Sequence, residues 1–432
     1  MPEFAAILNQ SRLLAHLQQR PAECRIEPFH LVGGAIREAL LGRPAADLDF
    51  TSPHDLTACA QTLARQCNGH WFWLDQERRQ SRVLVDGMTC DFVPWRAGTL
   101  GQDLALRDFT INAMALNLAT PLSKSALIDP LGGCQDLDQR RLRITGPGVL
   151  RDDPLRILKG LRHAAQLELE IDPATLTAMQ TAAPGLLQVA PERLRSEIWQ
   201  ILAAHAASRG LDGLYASGAG HVLFGPAFRA ALPFAHGVLK RARELFAILD
   251  CACPHTRRWL TDPVEQYLDR STLLTFNALL HAIEPALPLR LARNWRFGRA
   301  ATARLAALGS IRSIMWTELA RLPHRSRTIA QWALQYGPDP VDLLLGVGLH
   351  ADQPPLETAR RLIPFLALLG DLDDAHQLPN LVDGGWLADE LGLEGAMIGV
   401  ALTALKRAEI YGGVANVDAA RCFLRREFGK KD

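Results

Sequence analysis

Two carboxylates behind a pair of glycines make the first chemical suggestion. In Leu31–Thr51, LVGGAIREALLGRPAADLDFT, a short apolar run meets Gly33-Gly34. A helix-like segment follows with Arg37 on its first turn, and Gly42-Arg43-Pro44 stops it. Asp47-Leu48-Asp49-Phe50 comes next. Residues two apart on a strand point the same way, so Asp47 and Asp49 would stand side by side just past a glycine turn. Such a pair suits a divalent metal, Mg2+. Gly33 and Gly34 let backbone N–H groups approach a phosphate at a helix start, and Arg37 offers a fork of donors for a triphosphate. Two metals roughly 3.5–4 Å apart would activate an attacking hydroxyl and steady a leaving pyrophosphate. The plainer alternative is a strand–turn–helix unit with an ordinary acid pair. The joint occurrence of glycines, arginine and acids favours the chemistry.

Three further constellations are polar groups in apolar text. Asp91 lies in Cys90-Asp91-Phe92-Val93-Pro94, where an acid is costly unless paired or metal-bound. It is a candidate third carboxylate that takes the proton of the attacking hydroxyl, or else an exposed strand residue. Arg107, Asp108 and Asn112 form either a nucleotide-binding turn, with Asp108 accepting from a ribose hydroxyl, or a helix cap with an internal ion pair. Asp153 before Pro154 is a good helix start. Arg156, Lys159 and Arg162 then recur every three residues beside an apolar stripe of Leu155, Leu158 and Leu161. A fixed Asp with an Arg one turn later can read the edge of a base; a capped helix with a solvated basic face is the alternative.

The elements that must hold these groups fall in two kinds of text. Strand candidates are 29–32, 47–51, 70–74, 81–85 and 89–93, with helices over 35–41 and 54–67 and an amphipathic helix over 1–20. After about residue 150 strand signals nearly vanish, and helical periodicity runs over 150–169, 175–187, 192–206 and beyond. This predicts an α/β or α+β head followed by a long helical remainder. The 432 residues suggest several domains. A net charge of +1 neither announces nor excludes a nucleic-acid binder, because binding needs only a local patch. Eight scattered cysteines without a CxxC pair fit reduced thiols. With no signal-peptide pattern and no membrane-spanning run, the expectation is a soluble cytoplasmic protein.

Together the four stretches resemble the class II tRNA nucleotidyltransferase and bacterial poly(A) polymerase family. LVGGAIREALLGRPAADLDF resembles its metal and triphosphate motif, LRDFTINAMALN its ribose motif, and LIDPLGGCQDLDQRRLRITG its head-to-neck hinge. DDPLRILKGLRHAA is similar to its base-template motif, VAPERLRSEIWQIL to its neck helix, and the stretch from Leu381 to Leu424 to its C-terminal end. The resemblance implies an α+β fold: a nucleotidyltransferase head with a small mixed sheet over 1–145, a helical neck over 146–206, and a helical RNA-binding body and tail over 207–432. It implies Asp47 and Asp49 as metal ligands and Asp91 as third acid. Gly33, Gly34, Arg37, Arg107, Asp108, Lys159 and Arg162 would contact nucleotide, and Asp153 and Arg156 would read the base. The implied reaction is attack of a tRNA 3′ hydroxyl on the α-phosphate of CTP or ATP, giving CC or CCA ends and pyrophosphate. A poly(A) polymerase or a catalytically silent RNA-binding homologue is the alternative.

Departures from the family pattern bear on which nucleotide is added. Leu106 stands where an Arg is usual, Asp152 replaces a Glu, and Lys159 replaces an Arg and loses the bidentate fork. Between Asp91 and Asp108 there is only FVPWRAGTLGQDLALR, where many CCA-adding relatives carry a longer mobile segment. That points towards CC addition. His281 and His350 each lack an adjacent Asp, so no His-Asp phosphohydrolase activity is expected. RNA contacts are expected from Arg290, Arg293, Arg296, Arg299 and Arg304 with Trp295, and from Lys406, Arg407, Arg425, Arg426, Lys430 and Lys431, or these are solvated faces.

Overall fold

Short apolar runs rich in Val, Phe, Trp and Leu, separated by turn residues, form the expected sheet. The computed structural model describes residues 4–19, 22–309, 311, 319, 321, 340–376, 381–410, 414 and 416–429. Strands β1 (His30–Val32), β2 (Asp47–Ser52), β3 (His70–Asp75), β4 (Gln80–Val85), β5 (Met88–Pro94) and β6 (Ala115–Asn117) lie in the order β3-β4-β5-β2-β1-β6. β2 runs parallel to β5 and every other pairing is antiparallel, so the sheet is mixed. β6 was not expected; three residues are too few to show an alternation.

The register decides what each face carries. Val32 pairs with Asp49, Asp49 with Asp91, Asp91 with Arg82, and Arg82 with Phe72. Residues opposite one another share a face, so these five form one row across five strands. The other face is apolar. Leu31, Leu48, Phe50, Val83, Cys90 and Phe92 are buried there, and the Phe50 and Phe92 rings stack at 5.1 Å. Helices α1 (Phe4–Asn9), α2 (Arg12–Gln18), α3 (Gly34–Leu40) and α4 (Thr57–Gln66) contribute Ile7, Leu14, Ile36 and Leu63 to this core. The single helix expected over 1–20 is two, because the Ser11 hydroxyl accepts from the Leu14 N–H and starts a second one. Cys24 and Cys59, expected as reduced thiols, stand as a disulfide with S–S 2.21 Å. Their separation of 35 residues has no motif to reveal it.

Between β5 and β6 come α5 (Leu100–Ala105) and a 3-10 turn Thr110–Asn112, and after β6 come α6 (Gly133–Asp138), α7 (Val149–Asp152), α8 (Leu155–Leu167), α9 (Pro173–Ala182) and α10 (Pro191–Ala203). Hydrogen bonds tie the text on both sides of residue 145 together. Glu170 N donates to the Arg140 carbonyl at 2.7 Å, and Asp172 N to that of Leu142 at 3.0 Å; within the head, Thr110 N donates to the Arg143 carbonyl at 2.9 Å. Buried Asp136 accepts from the Thr110 hydroxyl at 2.6 Å and from Arg143 Nε at 3.0 Å. A Cβ on Gly133 would collide with the Thr110 carbonyl, so this close approach requires glycine. The compact units accordingly run from Met1 to Arg229 and from Ala230 to Asp432. Among its described residues the second is helical apart from a short hairpin, Pro263–Glu265 with Leu268–Asp269, and the helices over Gly384–Leu391, Ala396–Ile410 and Val417–Phe428 close a small core around Leu387, Leu405 and Leu424.

Candidate active site

β1 delivers the chain into Gly33, whose φ of +79° starts α3. A Cβ there would lie 2.9 Å from Asp49 Oδ2 and 3.2 Å from an Arg107 terminal nitrogen. Glycine is therefore required twice, by its backbone angle and by the space. β2 then places exposed Asp47 and half-buried Asp49 on one face, one pleat apart, as their spacing predicts. Burial pushes the Asp49 carboxyl up to about 6; Arg107 pulls it down, while Asp91, Asp47 and Asp108 push it further up. Four acids thus converge on one region.

Asp91 joins this group from β5. Arg82 on β4 grips both its oxygens, Nε to Oδ1 at 2.7 Å and a terminal nitrogen to Oδ2 at 2.8 Å. The acid inside apolar text is therefore paired, and it faces the cleft as well. Arg107 and Asp108 follow α5. Asp108 Oδ1 accepts from Phe109 N at 2.8 Å and from Asn112 Nδ2 at 3.0 Å, and Asp108 also lines the cleft. The turn Thr110–Asn112 itself has no side-chain cap, its preceding residue being Phe109. Asn112 further accepts from Arg37 and lies 3.4 Å from His163 Nε2. Burial and nearby Arg37, Arg162 and Lys159 hold the His163 ring well below its ordinary pKa, hence neutral. Sequence reasoning placed Asn112 in a nucleotide-binding turn or a helix cap and gave His163 no role. The only signal of His163 was its polarity in apolar surroundings.

Helices α7 and α8 form the opposite wall. Asp153 has extended backbone between them. Its Oδ1 accepts from Leu155 N at 3.2 Å, and its Oδ2 from Arg193 of α10 at 2.9 Å. Arg156 reaches back to the Val149 carbonyl at 3.2 Å. Lys159, one turn on, is half-buried. Asp49, Asp91, Arg107, Asp108, Asp153, Arg156 and Lys159 line one cleft of about 270 Å³, together with Gln80, Arg96 and Asp103, which sequence reasoning missed.

Other expected groups are placed elsewhere. Arg162 donates to Glu197 of α10 at 2.8 Å and to Gln166 at 3.1 Å, so it clamps helices and is not among the cleft-lining residues. Arg37 is only 12% exposed and is held by Glu38 and Asn112. Its fork is engaged by protein, and neither it nor Gly34 is in the cleft lining. In the second unit Trp295 is buried and Arg304 pairs with Asp342, while Arg290, Arg293, Arg296 and Arg299 are exposed. Arg425 packs over Trp386 at 5.7 Å. The side chains of Lys406 and Arg407, and Lys430 and Lys431, lie outside the described residues. His281 and His350 pack together at 5.2 Å, both lowered by burial, His350 to about 4.

Does the site fit a metal? Among the described residues no three His, Cys, Asp or Glu side chains form a cage. Mg2+ is commonly held by one or two carboxylates, with phosphate oxygens and water completing its shell. Asp47 and Asp49 supply that pair from one face of β2. The residues fit.

A small mixed sheet bearing a glycine turn and a row of acids, continued into helices, is the nucleotidyltransferase fold. The family described as the poly A polymerase head domain matches residues 79–143, and that described as a probable RNA and SrmB-binding site of polymerase A matches residues 168–232. A CC-adding tRNA nucleotidyltransferase of Geobacter sulfurreducens is 32% identical, with 92% of this chain and 91% of that protein covered. An A-adding tRNA nucleotidyltransferase of Deinococcus radiodurans is 31% identical, with 92% of this chain and 94% of that protein covered. A solved tRNA-processing enzyme in an apo form shares the fold at a TM-score of 0.64 and 21% identity, covering 95% of this chain and 99% of its own. The chain belongs to the class II tRNA nucleotidyltransferase and poly(A) polymerase family. No helix among the described residues is long and apolar enough to cross a membrane.

Proposed function

We propose that this enzyme adds cytidine to the 3′ end of tRNA, using CTP and Mg2+ and releasing pyrophosphate. The observation that carries the reading is the cleft in which Asp49 and Asp91 of the sheet, beside Asp47 at the start of β2, face Arg107, Asp153, Arg156 and Lys159. Arg107 beside Gly33 and the half-buried Lys159 neutralise the triphosphate. Asp47 and Asp49 hold Mg2+, which when bound polarises the α-phosphate and eases deprotonation of the attacking hydroxyl. Asp153 accepts from the exocyclic amine of cytosine, and Arg156 donates to its ring acceptors. The 3′ oxygen bonds to the α-phosphorus as the bond to pyrophosphate breaks, and the hydroxyl proton leaves toward the acid group that includes Asp91. Catalysis is positioning and charge stabilisation. Residues 1–145 carry the chemistry, 146–206 the base reading, and 207–432 hold RNA.

Cytidine is favoured by the connection after β5. Residues 92–107 end a strand and enter α5, whose start is capped by the Thr99 hydroxyl accepting from Gln102 N. Asp103, only 2% exposed, accepts from Arg96 N at 2.9 Å and ties the stretch down. No long segment is inserted there to remodel the pocket for A. The test supplies pure protein with tRNA lacking its terminus, Mg2+ and one labelled nucleotide at a time. Incorporation from CTP is expected, with at least a roughly hundredfold loss in Asp47→Ala. Long A tails without C would sink the tRNA reading. Unchanged incorporation in Asp47→Ala would sink the metal assignment.

A further inference from the structure

Phosphoryl transfer places the attacking and leaving oxygens roughly in line, on opposite sides of the phosphorus. Gly33 and Arg107 lie against Asp49 from the β1 side of the sheet. If the triphosphate binds there, as the proposed function holds, the attacking hydroxyl must arrive from the other side, over β5, β4 and β3. The row of Asp49 and Asp91 continues in that direction through Arg82 to Phe72. The next row, from Asp47 through Thr89, continues to Leu84 and His70. Phe72 is 39% exposed and Leu84 40%, whereas Trp71 and Trp73, the alternate residues of β3, turn to the other face. With strands about 4.8 Å apart, Phe72 stands roughly 10 Å from Asp91, within one or two nucleotides of the reacting oxygen.

We propose that Phe72, with Leu84 beside it, is a stacking platform for a base at the 3′ end of the acceptor RNA. An exposed aromatic on the nucleophile side of an acid row has the chemistry for this, because every base has a face that stacks on it. Arg82, held by Asp91, adds positive charge between the platform and the acids. Phe72 is thus a positioning residue for RNA and does not touch the nucleotide.

The experiment compares wild type, Phe72→Ala and Phe72→Trp on a tRNA carrying 2-aminopurine at either of its last two positions. Phe72→Ala is expected to raise the KM for RNA roughly tenfold and to lose the quenching of 2-aminopurine. The KM for CTP and the melting temperature are expected to stay unchanged, and Phe72→Trp to restore both RNA readouts. Wild-type RNA KM and quenching in Phe72→Ala would overturn the platform while leaving the proposed function standing. So would loss of self-association in that variant with RNA KM unchanged, which would make the patch an interface between copies. A wild-type enzyme that extends no RNA would overturn both proposals.

Discussion

At the scale of single residues, Asp49 bears the conflict that makes the site work. Its carboxyl is raised from an ordinary 3.8 to about 6, so the folded protein holds that proton more tightly than the unfolded chain. Stability therefore falls as pH rises from about 4 to about 6, and it stays lowered above that window. Metal-free Asp49→Asn removes this loss. It is expected to gain on the order of 2 kcal/mol over wild type at pH 7, to lose that advantage near pH 4, and to be inactive with Mg2+ at either. Thermal melts in a chelator across pH check it; equal melting at pH 7 would mean the carboxylate is not strained. Gly33 and Gly34 separate on the same scale. Gly33→Ala pushes a methyl onto Asp49 and Arg107 at positive φ, and activity is expected to fall at least roughly tenfold. A methyl on Gly34 meets only the Arg37 tip at 3.6 Å, so Gly34→Ala is expected to keep activity within about twofold. The acids and Gly33 were legible because chemistry demands their types at that spacing. His163 and Arg82 were not: His163 meets Asn112 from 51 residues away, and Arg82 meets Asp91 only through the register of β4 and β5.

At the scale of elements, α8 serves two masters. Its Arg156 and Lys159 face the cleft, as does Asp153 just before it, while Arg162 turns toward α10. A repeat of three residues drifts around a helix of 3.6 residues per turn; the basic stripe therefore winds out of the site before its last member. Arg162→Ala should cost about 2 kcal/mol in chemical denaturation, through loss of the Glu197 and Gln166 bonds, with the KM for CTP near wild type. Lys159→Ala should do the reverse, leaving stability unchanged and raising the KM for CTP roughly tenfold. A KM effect from Arg162→Ala without loss of stability would return that residue to the nucleotide. Five of the six main strands were legible from apolar alternation. The break between α1 and α2 was not, because one serine hydroxyl cap outweighs a continuous apolar stripe.

At the scale of the whole molecule, composition is nearly mute. A net charge of +1 and an even spread of cysteines say little about a chain whose function sits in a few dozen residues. The order of motifs carried the family; it could not carry the boundary between compact units. That boundary follows from hydrogen bonds such as Glu170 to Arg140 and Asp172 to Leu142, which fold the text after residue 145 back onto the head. The same docking brings Asp153, Arg156 and Lys159 to the cleft that Asp49 and Asp91 line, so the proposed choice of nucleotide belongs to the unit as a whole. The most direct measurement is therefore of the product. Truncated tRNA is incubated with the enzyme, Mg2+, CTP and ATP together, and the new 3′ ends are sequenced. Ends that stop at CC are expected. Complete CCA ends, a single added A on a CC-ended tRNA, or extended A tails would contradict the assignment of this cleft to cytidine.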